Sequence, residues 1–359
     1  HHTALTGDDL ADFVNNQLFN YLKKFKTSAE SADTIEYKIG EIFSELKNRI
    51  QSGYNLREVI NRIDELRFRT HAEKHEMSHL YEDKIKNMGN AGRNGGEYYT
   101  PRPLITTIVK VVAPKIGDKI YDGACGSAGF LCEAFAYLNK KGLSTKDTVI
   151  LQKKTFFGKE KKSLAYIIGI MNMILHGVHY RKFDIKQEDT LEHPQHNGKQ
   201  FEAIVANPPF SAEWSANPIF TSDDRFSQYG RLAPSSKADF AFVQHMVHHL
   251  AENGSMAVVL PHGVLFRGAA ELHIRKYLIE NKNFLDAVIG LPANIFYGTG
   301  IPTCILVFKK CRENPDDILF IDASNDFEKV KTQNILRESH ITKLVNTFRS
   351  RSAIEKYSH

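Results

Sequence analysis

Four short segments carry residue types whose spacing can do chemistry. The most specific is Ala206-Asn-Pro-Pro-Phe210, directly after the apolar run Glu202–Val205. Consecutive prolines, Pro208 and Pro209, fix the chain and withhold backbone donors. Asn207 precedes proline and is held extended. Its side-chain carbonyl and the Pro208 main-chain carbonyl can then accept from one amino group, and Phe210 offers a face to a planar ring. A poorly nucleophilic exocyclic amine needs this help. Two acceptors drain positive character from its protons and push the nitrogen lone pair towards an electrophile. In isolation the same residues also read as a rigid turn with a buried Phe.

The second segment is Ile120-Tyr-Asp-Gly-Ala-Cys-Gly-Ser-Ala-Gly-Phe-Leu131. A strand ends at Asp122, and a turn of small residues (Gly123, Ala124, Gly126, Ser127, Ala128) leads to a helix near Gly129. Open α/β sheets bind ligands outside the carboxyl ends of their strands. Small residues let a ligand approach the backbone, and an acid there can hold an amine or hydroxyls. GxGxxG is absent, which argues against a dinucleotide site. The third segment, Phe157-Gly-Lys-Glu160, puts Glu160 at the end of the next strand, where an acid accepts from ribose hydroxyls. It lies farther along than the ~20 residues of the simple fingerprint, and the Thr145–Thr148 region reads as an inserted loop. The fourth is Gly96-Glu-Tyr-Tyr-Thr-Pro-Arg102, whose aromatics can line a pocket. Thr100 before Pro101 reads as a helix N-cap.

These segments need a scaffold. After residue 105, apolar runs at Lys119–Asp122, Thr155–Gly158, Glu202–Ala206, Ser255–Leu260, Leu285–Gly290 and Cys304–Lys309 alternate with helical stretches at Gly129–Leu138, Ser163–Leu175 and Phe240–Ala251. Such alternation builds a mostly parallel sheet covered on both faces. The last two runs lack a good helix between them and predict a hairpin with one antiparallel edge strand. Before residue 90 the apolar spacing is helical, as in Leu10, Phe13, Val14, Leu18 and Leu22. The glycine-rich loop Asn87–Gly96 is the best boundary. The expected division is a helical N-terminal domain (1–90), a catalytic α/β domain (91–335) and a mildly basic helical tail (336–359).

Composition excludes several classes. The chain has 359 residues, 42% apolar and 25% charged, with a net charge of +5. Apolar content argues against intrinsic disorder, and no run approaches the ~18 residues of a membrane span. The four cysteines, at 125, 132, 304 and 311, form no CxxC pair, which argues against a disulfide scaffold and fits a reducing cytoplasm. Cys125 reads as a small pocket residue.

The four segments, in this order, closely resemble the DNA-methyltransferase (modification, M) subunits of Type I restriction–modification systems, adenine-N6 methyltransferases of the NPPF type. His75-Glu-Met-Ser-His-Leu-Tyr-Glu82, Leu260-Pro-His-Gly-Val-Leu-Phe266 and the stretch from Leu291 to Leu306 also resemble segments of that family. The resemblance implies a Rossmann-like class I S-adenosylmethionine-dependent fold with a seven-stranded, mostly parallel sheet behind a helical domain. It implies S-adenosylmethionine as cofactor. Glu97, Tyr98, Tyr99, Thr100, Pro101 and Arg102 would line the methionine end. Asp122 and the Gly123-to-Gly129 turn would hold the amino-acid part, and Glu160 the ribose. Asp189, with Thr190 beside it, would lie near the adenine. Asn207, Pro208, Pro209 and Phe210 would hold the target base. Gly123 stands where proline is common, Ala128 where glycine is common, and Glu188 where glycine is frequent.

The resemblance further implies double-stranded DNA with a flipped adenine, a DNA-specificity (S) subunit serving two M chains, and a separate restriction (R) subunit. No metal is implied. Two other readings stay open: a protein glutamine-N methyltransferase, which shares the NPP motif, and a non-catalytic assembly subunit. His75–His79 matches HExxH literally but reads as a polar helix face, and His245-Met-Val-His-His249 lacks the acid of that pattern. Trp214 and the stretch Ser211–Ser236 read either as a disordered surface loop or as a DNA-facing one. Because the family's subunits are commonly longer, the ends, including His1-His2, read as trimmed, with a missing C-terminal segment expected to dock the S subunit.

Overall fold

The computed structural model describes residues 5–32, 34–66, 99–139, 143–151, 155–193, 198–296, 299–331 and 333–359. Its centre is an eight-stranded sheet: β1 (Ile120–Asp122), β2 (Phe156–Glu160), β3 (Phe183–Gln187), β4 (Phe201–Ala206), β5 (Leu250–Pro261), β6 (Leu285–Gly290), β7 (Thr303–Lys309) and β8 (Leu319–Asp322). The order is β3-β2-β1-β4-β5-β7-β6-β8. Only β7 runs antiparallel, to β5 and β6. The hairpin expected from sequence is present, but β7 is not an edge strand. It is inserted between β5 and β6 because its residues Thr303 to Phe308 are buried on both faces and its backbone pairs on both sides. The eighth strand, β8, pairs parallel to β6, and the chain's last residues pair with it in turn: Asp322 N donates to Tyr357 O at 2.7 Å and Phe320 N to His359 O at 2.8 Å.

Strand alternation feeds two apolar cores, one on each face. Along β5, Ala257 and Val259 enter one core, and Met256, Val258 and Leu260 the other. This period of two explains why the central strands read as unbroken apolar runs. The first core holds the helices Arg102–Val112, Gly129–Leu138 and Ser163–Leu175, and the second holds Asp239–His249. The helix Glu338–Ser350 closes over the first with Ile341, Leu344, Val345 and Phe348. Its Glu338 also meets Lys110 at 2.6 Å. The Thr145–Thr148 region is not a loop but the start of a short helix, Thr145–Leu151, in which Leu151 is buried.

The N-terminal segment is helical, as its spacing predicts: Gly7–Asp12, a π-helical stretch Phe13–Leu18, Phe19–Ser28, Ile35–Glu45 and Gly53–Asp64. Leu10, Val14 and Leu56 form a small core of their own. The helix Ile35–Glu45 joins the larger body, with Ile42 in the main core and the Tyr166 hydroxyl donating to Glu41 at 2.6 Å. The glycine-rich loop and His75–Glu82 lie outside the described residues. Among the described residues no helix is long and apolar enough to cross a membrane.

Candidate active site

The strand order reverses between β1 and β4, which is where an open sheet binds its ligand. Both central motifs leave their strands there. Asp122, at the end of β1, is fully buried. Its Oδ1 accepts from Ala124 N at 3.0 Å, while Oδ2 has no partner. Burial pushes this carboxyl up to about 8, against the pull of the Ala124 N–H. Asp122 therefore braces the turn from beneath and keeps Oδ2 unpartnered, an oxygen that a cationic donor would draw into its ionised, accepting form. In the turn, Gly126 and Ala128 take left-handed φ values of 51° and 60°. The first suits glycine. The second costs an alanine about 1 kcal/mol.

Glu160 ties the next loop to this turn. Its Oε2 accepts from Gly126 N at 2.9 Å and its Oε1 from Lys162 N at 2.8 Å. Burial raises its pKa, partly opposed by these two amides. Gly158 makes the approach possible, because a Cβ there would lie 3.1 Å from Cys125 Sγ. Burial also raises the Cys125 thiol well above its usual value, so it stays protonated. After β3, Asp189 Oδ1 accepts from Leu191 N at 3.0 Å, and its Oδ2 meets Lys161 Nζ at 2.8 Å. Burial alone would raise this carboxyl, but Lys161 and the amides hold it below the usual range. The Thr190 hydroxyl donates to Gly123 O.

On the other side of the switch point, Asn207 Nδ2 donates to Thr100 Oγ1 at 3.0 Å. Asn207 Oδ1 is buried and has no partner. Thr100 is thus not the N-cap expected from sequence. Pro101 holds that position without a side-chain bond, and the Thr100 hydroxyl serves Asn207. Phe210 meets Phe296 edge-on at 5.3 Å and 88°. The next residue, Ser211, has a φ of 49° and is clamped by the fully buried Asp239. Ser211 N donates to Asp239 Oδ1 at 2.8 Å, and Arg267 Nη1 donates to Oδ2 at 2.7 Å. Arg267 also reaches Ser211 Oγ at 3.2 Å and Glu271 at 3.1 Å.

A cavity of about 260 Å³ joins the two sides. Its lining includes Gly123, Ala124, Glu160, Asp189, Thr190, Asn207 and Pro209. Smaller hollows continue past Thr100, Gly126, Ser127 and Gly129 to Tyr99 and Arg102. Several residues expected at the site stand behind this surface rather than on it. Asp122, Ala128 and Pro208 are buried, and Pro101 starts a helix. Arg102 binds Glu133 at 3.0 Å. Glu97 and Tyr98 lie outside the described residues. Sequence reading missed Lys159, Lys161, Leu191 and Phe242, which line the cavity, and set Trp214, which lines it too, in a surface or DNA-facing loop. Lys159 is fully buried and donates to His193 O at 2.7 Å, and burial brings its ammonium down to about 8.

The stretch after Phe210 is an ordered loop. Arg225, 2% exposed, inserts its guanidinium into the interior. It donates to Thr190 O at 3.0 Å and Leu191 O at 2.9 Å, and it chelates Asp223. It also meets His245 Nδ1 at 3.1 Å, and the other ring nitrogen of His245 bonds the Tyr121 hydroxyl at 2.8 Å. The His245–His249 pattern is thus a structural network within the second core. Among the described residues no cluster of three His, Cys, Asp or Glu side chains is placed to hold a metal.

Comparison with known proteins agrees with this geometry. The family model for N-6 DNA methylases matches residues 72–359. A Type I restriction enzyme methylase subunit of Mycoplasma pneumoniae is 40% identical over 274 residues, covering 73% of this chain and 49% of that protein. One of Escherichia coli is 34% identical, covering 86% of this chain and 61% of its own length. The chain thus spans about half to three-fifths of these two relatives. Among solved structures, a type I restriction–modification methyltransferase subunit of Streptococcus thermophilus superposes with a TM-score of 0.80 at 34% identity, over 98% of this chain and 79% of its own. A modification subunit of a putative type I enzyme of Vibrio vulnificus gives 0.82 at 28% identity, over 100% and 76%. The sheet order, the paired motifs at its switch point and these relatives agree: the chain belongs to the N-6 DNA methylase family, on the class I S-adenosylmethionine-dependent methyltransferase fold.

Proposed function

We propose that this chain transfers a methyl group from S-adenosylmethionine to the N6 amine of adenine in DNA, as the modification subunit of a Type I restriction–modification complex that protects host DNA. One observation carries the reading. Thr100 pins the amide of Asn207 through its nitrogen, which leaves the amide oxygen buried and open to a donor. A buried acceptor without a partner costs about 1–3 kcal/mol, so the site holds an amine's place in advance.

The residues fit the cofactor. The cavity has the volume for a nucleoside, acids for hydroxyl and amino donors, and Asp122 Oδ2 as an unused acceptor beneath the turn. Glu160 would take the ribose, Asp189 and Thr190 the adenine edge, and the turn from Gly123 to Gly129, with Glu97 to Arg102, the amino-acid end. When bound, S-adenosylmethionine supplies an electrophilic methyl group on a sulfonium. Asn207 Oδ1 and the Pro208 carbonyl would accept the two protons of the adenine amine and aim its lone pair, while Phe210, steadied by Phe296, stacks on the base. Transfer of the methyl would break its bond to the sulfonium sulfur and release S-adenosylhomocysteine, the displaced N–H proton would pass by Asn207 Oδ1 to water, and the step calls for no metal. Positioning of this kind can supply up to ~7–11 kcal/mol.

The target adenine must leave the duplex, at a cost of a few kcal/mol. In this reading residues 91–335 are catalytic, flanked by helical segments 1–90 and 336–359. An S subunit selects the sequence for two such chains, an R subunit completes restriction, and the complex works in the cytoplasm. The test is methyl transfer to DNA with and without an S subunit, followed by digestion and mass spectrometry of the nucleosides. N6-methyladenine supports the reading. Methylcytosine, or label in protein alone, overturns it.

A further inference from the structure

The ordered loop after Phe210 is the part of the cavity wall that the motifs leave unexplained. It carries Trp214, the chain's single tryptophan, which is half-buried and lines the cavity with Glu160 and Asp189. The indole is firmly held. Its Nε1 donates to Pro234 O at 3.0 Å, its main-chain N to Ser235 O at 2.9 Å, and its ring stacks on Phe220 at 5.7 Å and 19°. The far part of the loop is anchored by Arg225 on the carbonyls of Thr190 and Leu191, two other residues of the same wall. A fixed aromatic plane loses little entropy on stacking a ligand ring. Beside it stand two carboxylates, one suited to hydroxyls and one to an exocyclic amine. Together these are the recognition groups of a purine nucleoside.

We propose that Trp214 forms the aromatic wall of a purine-nucleoside subsite, occupied by the adenosine half of the methyl donor. This rests on the proposed function. The other adenine in the reaction is the target base, but Phe210, the ring set to stack on it, does not line this cavity. The two aromatics therefore serve two different rings. The consequence is a loop built into the cofactor site, so that cofactor binding stabilises the same segment that follows the NPPF motif.

With one tryptophan, fluorescence excited beyond the tyrosine absorption band reports on this position alone. Titration with S-adenosylhomocysteine should change the emission, saturating at the Kd that calorimetry gives. Adenosine should produce the same change at higher concentration, and homocysteine none. Base–aromatic stacking is worth ~1–3 kcal/mol by alanine substitution, so Trp214→Ala should raise that Kd about 5- to 150-fold, and Trp214→Phe by less than about threefold. If Trp214→Ala does not fold, the wild-type titration and Trp214→Phe decide. Calorimetric binding without a fluorescence change, or with wild-type affinity in folded Trp214→Ala, overturns the inference and leaves the proposed function standing. A change seen only on adding adenine-containing DNA overturns it by assigning Trp214 to the target base. Absence of S-adenosylhomocysteine binding to the wild-type chain overturns both.

Discussion

The two sides of the switch point hold their key groups by different means. On the β1–β3 side, carboxylates are fixed mainly by backbone amides two or three residues onward: Asp122 by Ala124, Glu160 by Lys162, Asp189 by Leu191 and Glu192. On the β4–β5 side the holders come from far along the chain: Thr100 for Asn207, and Asp239 with Arg267 for Ser211. The first side is a set of local caps that can hold a cofactor wherever the strands lie in order. The second depends on the whole fold. The difference predicts a division of labour, in which the cap side sets cofactor affinity and the clamped side sets turnover.

The largest effect should come from Asn207→Ala. Removing one preorganised polar contact at a reacting group costs roughly 10²–10³-fold in kcat, and steady-state transfer assays should read at least that. Asp239→Asn comes next. It keeps the shape but weakens charge-assisted bonds worth about 1.5–3 kcal/mol. Thermal unfolding should show a lower Tm, and turnover at saturating cofactor should fall about tenfold, since the NPPF loop loses its clamp. Glu160→Gln should act on the other side only, weakening cofactor about tenfold in calorimetry with turnover at saturation kept. Thr100→Val should lower turnover about fivefold, the worth of one ~1 kcal/mol hydrogen bond, and Thr100→Ser should restore it.

The smallest effect is on pH. Burial drives His249 down to about 4, so its neutral form contributes stability that is present above about pH 6.5 and lost as pH falls towards 4. Burial drives Asp122 up to about 8, so its protonated form contributes stability that is present at low pH and lost as pH rises through 8. From about pH 4 to 6.5 the two effects oppose each other, and from 6.5 to 8 only Asp122 still acts, so the ligand-free chain should lose Tm between pH 6.5 and 8 and Asp122→Asn should abolish that loss. The same loss between pH 6.5 and 8 in Asp122→Asn would show that Asp122 ionises in the fold at its ordinary pKa.

What was legible in the sequence follows the same division. β1, β2 and β4 to β7 could be read because their residues are buried on both faces and form unbroken apolar runs. β3 and β8 could not. Each buries only alternate residues, Phe183 and Ile185 in one and Leu319 and Ile321 in the other, which is too little pattern to stand out. The place of β7 between β5 and β6 is a tertiary matter, although its apolar run Cys304–Phe308 carried the hint that it lies inside the sheet. In the site, the capped acids Asp122 and Glu160 announced themselves by standing at strand ends, whereas Asp189 came only through the family resemblance, because β3 before it was not legible. Thr100 was misassigned as an N-cap because its real partner, Asn207, is near it only in the fold. Arg225 and Asp239 carry no local signature at all, because each acts through residues far along the chain, and Trp214 stood out only within a loop whose role the sequence left open.

The division of labour is tested most directly by measuring S-adenosylhomocysteine affinity and turnover at saturating cofactor on the same preparations of Asn207→Ala and Glu160→Gln. The account predicts opposite patterns: Asn207→Ala binds within about twofold of wild type and scarcely turns over, and Glu160→Gln binds about tenfold more weakly and turns over near the wild-type rate. Parallel loss of both properties in both variants would contradict it.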